Sequence, residues 1–208
     1  MAEVFSPTRW AERPPLFTAA GCVAVLLSPD DAPALQSFLD ANPGYSQIVA
    51  GRPWLPDEAA SELAERPPTD WPQGATRHLA LLDARDGGWR GLLFYTEDLL
   101  APQVWHLALF LVASAWHGRG LAAALHQAWE DHAAAQGARW LRLGVVIGNA
   151  RAERFWERMG YQDVRLRRGL VFGQLTQDVR LMVRPLGEAT LAEHLARVPR
   201  DRPDNSAA

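Results

Sequence analysis

The stretch that decides the fold runs from Val104 to Tyr161 and reads VWHLALFLVASAWHGRGLAAALHQAWEDHAAAQGARWLRLGVVIGNARAERFWERMGY. Its opening segment, Val104–Val112, is apolar apart from His106. A run of that composition predicts a strand buried on both faces, as in a parallel sheet. The strand leads into a turn that contains two glycines, and after this turn the apolar residues recur at helical spacing.

The residues after this turn predict a helix and then a second strand. Leu121, Leu125 and Trp129 recur at a spacing of four, which places them on one side of a helix. Gly137 occupies a position typical of a helix C-cap, and Trp140–Ile147 is a second apolar run. Because parallel strands require a crossover connection, this order predicts a right-handed strand–helix–strand unit.

The turn itself, His117-Gly118-Arg119-Gly120-Leu121-Ala122, predicts an anion site. Two glycines remove two Cβ atoms where the chain enters the helix, so several backbone N–H groups can approach one ligand. These groups lie at the positive end of the helix dipole, where a phosphate or pyrophosphate binds well, and Arg119 adds a cationic fork. Two glycines that only ease a tight turn give the same pattern, so the motif alone leaves both interpretations open.

A second motif follows the second strand. Asn149 is a typical N-cap and Gly160 a typical C-cap, so the two residues delimit a helix. The apolar residues between them recur at spacings of three and four and form one face: Ala152, Phe155, Trp156 and Met159.

Together the two motifs resemble those of the GNAT superfamily of acyl-CoA N-acyltransferases. That family carries Gln/Arg-x-x-Gly-x-Gly/Ala after its fourth strand and Asn-x-x-Ala-x-x-Phe/Leu-Tyr-x-x-x-Gly-Phe/Tyr after its fifth. Both patterns occur here in that order, with a crossover helix and a strand between them. The resemblance is strong over Val104–Tyr161 and extends, as a pattern of strands, from about Gly21 to Leu186.

The resemblance implies an α/β (α+β) GNAT fold. Such a fold has a mixed, mostly antiparallel sheet of about seven strands, helices on both faces, and a central parallel pair that is splayed to bind acyl-CoA. It also implies acetyl-CoA as cosubstrate and direct attack by a primary amine of a small molecule or peptide. The implied cofactor-binding residues are Leu111 and Val112 through their backbones, His117, Gly118, Arg119, Gly120, Leu121 and Ala122 in the turn, and Asn149, Ala152, Phe155 and Trp156.

The chain departs from the family pattern at two positions. His117 replaces the usual Gln or Arg, which leaves phosphate binding to the backbone amides. Trp156 replaces the Tyr that many family members use to protonate the leaving CoA thiolate. Since an indole is no acid near neutral pH, Trp156 is expected either to pack against the cofactor arm or to be a core aromatic residue.

The sequence offers fewer candidate catalytic residues than cofactor-binding residues. His106 is the only polar side chain of its strand, and by register it falls where some family members place a catalytic Glu. An imidazole titrates near ~6.5 and suits a general base, although a strand histidine bonded to a neighbour is the alternative. Glu97 and Asp98 are rival bases through a bridging water, and Tyr95 or Tyr45 is the candidate acid.

The segments outside the central stretch give further expectations. In family members with this layout the region between the first two helices lies over the substrate, so Tyr45 and Trp54 are candidate substrate contacts, with simple packing as the alternative. Tyr45–Val49 predicts a loop or short strand. Asp86-Gly87-Gly88 predicts the turn of a hairpin. We expect an N-terminal arm over residues 1–20, one domain over 21–186 and an extension over 187–208 whose polar end is disordered.

Composition excludes several classes of protein. The 208-residue chain has a net charge of −3 and a pI near 6.1, which argues against nucleic acid or a basic membrane surface as partner. Its N-terminus is polar and its apolar runs are short, so neither a signal peptide nor a membrane span is expected. The single Cys22 fits a reducing cytoplasm. Six histidines without metal-ligand spacing predict no metal site, and the family resemblance suggests a homodimer.

Two other functions remain open from the sequence. The run Gly118–Ala123 also matches the G-x-G-x-x-A fingerprint of dinucleotide-binding enzymes. Against that reading, the next strand ends in Ile147-Gly148-Asn149 with no acidic residue for a ribose. The replacement of Tyr by Trp156 also allows a non-catalytic acyl-CoA-binding module on the same fold.

Overall fold

The computed structural model describes residues 13–203. They form one eight-stranded sheet in the order β1-β2-β3-β4-β5-β6-β8-β7. The strands are β1 (Phe17–Ala19), β2 (Cys22–Leu26), β3 (Thr76–Asp83), β4 (Trp89–Thr96), β5 (Val104–Val112), β6 (Trp140–Val146), β7 (Gln162–Phe172) and β8 (Leu175–Pro185). Only β5 and β6 pair in parallel within this sheet; the other neighbours are antiparallel.

Helices cover both faces of the sheet, as the fold prediction requires. The face here called the α1 face carries α1 (Ala32–Asp40), α2 (Gly44–Ala50), α3 (Glu58–Ala64) and α6 (Leu191–Arg197). The opposite face, called the α4 face, carries α4 (Leu121–Ala135) and α5 (Ala150–Arg158). The predicted crossover between parallel strands is therefore confirmed, because α4 connects β5 to β6.

The parallel pair separates along its length. The register joins Val104 to Trp140 at one end and Leu107 to Leu143 at the other, and it stops there although both strands continue. The pairing of β5 with β4 is irregular at the same level, since Phe94 lies opposite Leu109 but Tyr95 lies opposite Leu107. The residue left over, Ala108, is a bulge that bends β5 away from β6.

Three local details of the structure differ from the sequence-based description. The sheet has eight strands rather than about seven, because Phe17–Ala19 in the expected N-terminal arm forms β1 beside β2; residues 1–12 of that arm lie outside the described part. The segment from Tyr45 to Val49 is helical, within α2. The C-terminal end that was expected to be disordered starts with a 3-10 turn, Pro199–Asp201, and Asp201 in this turn is fully buried.

Candidate active site

The separation of β5 from β6 opens a cleft that runs through the sheet. Its volume is about 1330 Å³, and its lining includes the ends of both strands, the turn before α4, and side chains of α2 and α3. The pairing that β5 lacks beyond Leu107 leaves one edge of that strand facing the cleft. A ligand in an extended conformation can pair with such an edge as a strand would.

The glycine turn lies at one end of this cleft. Gly118 and Gly120 have φ values of +75° and +79°, in the left-handed region that favours glycine, and Gly120 is the N-cap of α4. A Cβ built at either position meets no described atom within 4 Å, so the space in front of both is open. The first N–H groups of α4 have no acceptor within the helix and point toward this opening. The turn therefore has the geometry of a phosphate cradle.

The side chain of His117 is hydrogen-bonded to neighbouring elements and does not extend into the opening in front of the glycines. Its Nε2 lies 2.8 Å from the carbonyl oxygen of Val112, and its Nδ1 lies 2.6 Å from Nη1 of Arg151 on α5. Because a guanidinium group only donates, Nδ1 must accept and Nε2–H must donate to Val112. The ring thus links the end of β5 to the start of α5, and both of its nitrogens are occupied by these contacts.

The strand edge that faces the cleft differs from expectation by one residue. Ala113 donates to the carbonyl of Arg90, so Ala113 and, two residues earlier, Leu111 point their backbone groups at β4. Phe110 and Val112 alternate with them and point toward the gap between the strands. This geometry agrees with the expectation for Val112, whereas the backbone of Leu111 faces β4 and that of Phe110 faces the gap.

The second motif closes the cleft from the α4 face. Asn149 lines the cleft and caps α5, since its Oδ1 accepts from the N–H of Ala152 at 3.2 Å, and its side-chain amide nitrogen donates to no residue in the described range. Ala152 and Phe155 are half-buried along the lining. Trp156 is 8% exposed and lies within an aromatic cluster, with ring centroids 6.0 Å from Phe110 and 5.5 Å from His126. Trp156 is thus mainly a core residue whose edge reaches the cleft.

His106 lines the cleft but does not have the surroundings of a base. Nη1 of Arg142 on β6 donates to its Nδ1 across 3.2 Å, so the neutral ring carries its proton on Nε2 and presents a donor. Burial, reinforced by the charge of Arg142, lowers the pKa of His106 to about 3. The geometry therefore favours the alternative of a strand histidine bonded to a neighbour.

Arg142 is in turn held by the C-terminal segment. Its Nε and Nη2 donate to the two carboxylate oxygens of Asp201 at 2.8 and 2.9 Å, and Nε2 of His194 donates to the same carboxylate at 2.8 Å. Burial alone would raise the pKa of Asp201, but the hydrogen bonds from His194 and Arg142 outweigh it and hold that pKa well below its usual range. The row His106–Arg142–Asp201–His194 connects the cleft floor to α6 and the following turn.

Of the other candidate catalytic residues, Glu97 and Asp98 do not line the cleft, whereas Tyr95 lines it but its ring packs into the core of the α4 face. Glu97 accepts from Nε of Arg77 at 3.0 Å, and Asp98 accepts from the N–H of Gln103 at 2.6 Å. Both carboxylates line a separate depression beside the C-terminal end of α4. The ring of Tyr95 points to the α4 face, stacks on Trp105 at 5.1 Å and has a buried hydroxyl with no described partner. Burial raises the pKa of Tyr95 well above its usual range, so its assignment as the acid is not supported.

The segment over the α1 face does bring Tyr45 and Trp54 to the cleft. Their rings stack with centroids 5.7 Å apart and an interplanar angle of 12°, and Nε1 of Trp54 donates to the carbonyl of Asn42. Both side chains also pack against the core cluster beneath α1. Packing and substrate contact are therefore compatible at these two positions.

Sequence reasoning missed Glu62 on α3. This residue lines the cleft and is half-buried, and its carboxylate has no hydrogen bond or ion pair to any residue in the described range. Burial, followed by the charges of Glu65 and Glu58, raises the pKa of Glu62 to about 7. The signal was present in the sequence, because glutamates at 58, 62 and 65 follow helical spacing and share one side of α3.

Comparison with known proteins agrees with this geometry. The model of the acetyltransferase (GNAT) family matches residues 50–161, more than half of the chain. The chain belongs to the GNAT family of acetyltransferases. That assignment confirms the resemblance and removes the dinucleotide-binding alternative for the glycine turn. No curated protein matches the chain significantly.

Solved structures show the same fold at low sequence identity. An acetyltransferase from Thermus thermophilus aligns with a TM-score of 0.62 and 23% identity, covering 79% of this chain and 97% of its own. The spermidine N-acetyltransferase from Vibrio cholerae, solved with CoA and spermine, gives 0.62 and 20%, with coverage of 80% and 96%. A GCN5-related N-acetyltransferase from Kribbella flavida gives 0.57 and 26%, with coverage of 80% and 98%. These likenesses support the fold and leave the acceptor undetermined.

Two searches of the described part of the chain bear on other classes of site. Between residues 13 and 203 no group of three or more His, Cys, Asp or Glu side chains is arranged to hold a metal ion. No helix in that range is long and apolar enough to cross a membrane.

Proposed function

We propose that this protein transfers an acetyl group from acetyl-CoA to the primary amine of a small molecule or peptide by direct attack. The observation that carries the proposal is the separation of β5 from β6 beyond Leu107 and Leu143. It opens one cleft that has the glycine turn at one end and Glu62 on the α1 side. A thioester lying between the strands and an amine entering from the α1 face would meet without a covalent enzyme intermediate.

The cofactor would be held mainly by backbone groups. In this proposal the N–H groups from Gly118 to Ala122 bind the diphosphate at the positive end of α4, and Arg119 adds a charge at the rim. The N–H groups of Phe110 and Val112 pair with the pantetheine arm and the thioester carbonyl, which stabilises the oxyanion that forms during attack. Asn149 contributes its amide nitrogen, and Ala152, Phe155 and Trp156 form the wall along the arm.

Glu62 is the proposed general base. A carboxylate whose pKa is near 7 is well matched to accept a proton from an alkylammonium acceptor at neutral pH, through a bridging water. The amine nitrogen then forms a bond to the acetyl carbon, and the bond from that carbon to sulfur breaks, so CoA leaves as a thiolate. The second proton that the acylated nitrogen loses passes through water to this sulfur. His106 would donate from Nε2 to orient a group in the cleft, and Tyr45 and Trp54 would contact the acceptor.

The proposal is tested by binding and turnover together. Acetyl-CoA should raise the melting temperature, NAD and NADP should not, and at least one amine of a broad panel should accelerate release of the CoA thiol. Binding of acetyl-CoA without thiol release for any amine would instead favour a non-catalytic acyl-CoA-binding module on the same fold. A homodimer in the cytoplasm belongs to the same proposal, and light scattering of the purified protein checks the dimer.

A further inference from the structure

Arg167 is a cation of the cleft whose guanidinium group contacts no carboxylate in the described part of the chain. It lies on β7, is half-buried, and lines the same cavity as Glu62. Its side chain forms no hydrogen bond or ion pair with any residue from 13 to 203, whereas the side chain of Arg165 on the same strand donates to the carbonyl of Arg200. Partial burial removes some of the hydration of this guanidinium group at a cost in free energy, and a ligand in the cleft that supplies an acceptor would offset that cost.

The surroundings of Arg167 add to this cost instead of relieving it. Burial and the charges of Arg200, Arg142 and Arg165 lower the pKa of Arg167, and the charge of Asp201 opposes them. Asp201 is already held by Arg142 and His194, so its hydrogen-bonding capacity is largely used. This corner of the cleft therefore has a positive potential that no described carboxylate neutralises by contact.

The opposite side of the cleft has the reverse charge. α3 packs over β4 and β5, where Leu63 joins the cluster of Phe94 and Leu109, and it presents Glu62 to the cavity. β7 lies three strands from β5 in the sheet order, which corresponds to about 14 Å at the usual spacing between strands. The stacked rings of Tyr45 and Trp54 belong to the lining on the α3 side.

We infer that the acceptor of this enzyme is an amine that also carries an anionic oxygen group, and that Arg167 binds this group while Glu62 faces the amine. This inference rests on the proposed acetyl transfer and narrows its substrate class. A guanidinium fork binds a carboxylate or a phosphate with two parallel hydrogen bonds, so either source of the anion fits Arg167. The distance across the cleft favours acceptors whose amine and anion are separated by several bonds.

The test uses matched amines with and without the anion. ω-Amino acids of increasing length, from glycine to 6-aminohexanoate, are compared with alkylamines of equal length, and phosphoethanolamine is compared with ethanolamine. We expect the wild-type enzyme to prefer the anionic member of at least one series, which also identifies carboxylate or phosphate as the group. For the preferred acceptor, Arg167→Gln should raise KM about 10- to 100-fold, as for loss of a hydrogen bond to a charged group.

The controls distinguish the loss of anion binding at Arg167 from a nonspecific effect of the substitution. They also distinguish it from failure of the proposed acetyl transfer. Arg168→Gln removes the same charge from a side chain that is 76% exposed and does not line the cleft, and it should leave KM unchanged. Arg167→Lys should recover part of the affinity, and KM for acetyl-CoA should not change in any variant. If neutral amines are acetylated as well as their anionic partners, or if Arg167→Gln weakens both equally, the inference is wrong and acetyl transfer stands. If no amine is acetylated, both the inference about the acceptor and the proposed acetyl transfer are wrong.

Discussion

Arg142 donates from Nη1 to Nδ1 of His106 across 3.2 Å, although the two residues lie 36 positions apart on adjacent strands. Because a guanidinium group cannot accept, this contact fixes the tautomer of His106 and makes its other nitrogen a donor. A residue that the sequence suggested as a base is thus better placed to orient a ligand. The contact is itself held in position by Asp201, so the C-terminal turn takes part in shaping the cleft floor.

His106→Gln tests this assignment, because the glutamine amide nitrogen can replace Nε2–H as a donor. We expect the variant to keep most of the activity that His106→Ala loses. Since the pKa of His106 is lowered to about 3, its titration should not contribute to the rate between pH 5 and 8. The measurement is kcat/KM against pH for wild type and both variants. If the wild-type profile has an inflection between pH 6 and 7 that His106→Gln lacks, the imidazole of His106 is the base.

Glu62→Gln should lower kcat by about 10²- to 10⁴-fold if Glu62 is the general base. A base must be deprotonated to act, and the pKa of Glu62 is raised to about 7, so the wild-type rate should rise as pH increases through that value. That rise should be absent from the residual activity of Glu62→Gln. Glu65→Gln, at the C-cap of the same helix, is the matched control. It removes a charge that raises the pKa of Glu62, so activity should persist while the inflection moves to lower pH. An unchanged profile in Glu62→Gln would contradict the assignment.

Gly120→Glu should abolish binding of acetyl-CoA, because it places bulk and negative charge in the open space where the diphosphate is proposed to bind. The control is Gly137→Glu at the other end of α4. Gly137 also has a positive φ, of +95°, and a Cβ at this position would meet no described atom within 4 Å, so both variants carry a similar backbone strain of about 1 kcal/mol. Calorimetric titration with acetyl-CoA gives the readout. Equal affinity in the two variants would remove the site from the glycine turn.

Asp201→Asn should destabilise the protein by about 3–5 kcal/mol, as expected when one partner of a buried ion pair is removed. The depressed pKa of Asp201 means that its stabilisation is fully present above the carboxyl's ordinary unfolded value and is lost as pH falls toward the folded value. The difference in unfolding free energy between wild type and variant should therefore be constant from pH 6 to 8 and shrink below about pH 4.

Urea denaturation across that range measures the effect. Asp163→Asn is the control, because Asp163 pairs with Arg180 at the surface with its side chain 56% exposed, and its loss should matter much less. A difference for Asp201→Asn that grows as the solution is acidified would refute the assigned direction of the pKa shift.

The sequence by itself determined the central part of this protein. Two short apolar runs, a spacing of four, two glycines at a strand-to-helix turn and an asparagine at the next helix start are local properties, because each depends on composition, dihedral preferences and side-chain spacing within a few residues. They predicted the parallel pair, the crossover helix, the glycine turn and the family. The helical spacing of the glutamates on α3 could also be recognised in the sequence. The sequence did not show that Glu62 lies in the cleft.

Only the tertiary structure decided which side chains meet. Whether His106 accepts or donates depends on Arg142 of another strand, and whether Glu97 and Asp98 face the cleft depends on which side of the sheet they leave. The pKa of Glu62 depends on how deeply α3 is buried, and the burial of Asp201 depends on a C-terminal turn returning to β6. Hydrogen-bond geometry and desolvation are set by groups far apart in the chain, so no local pattern in the sequence carries them.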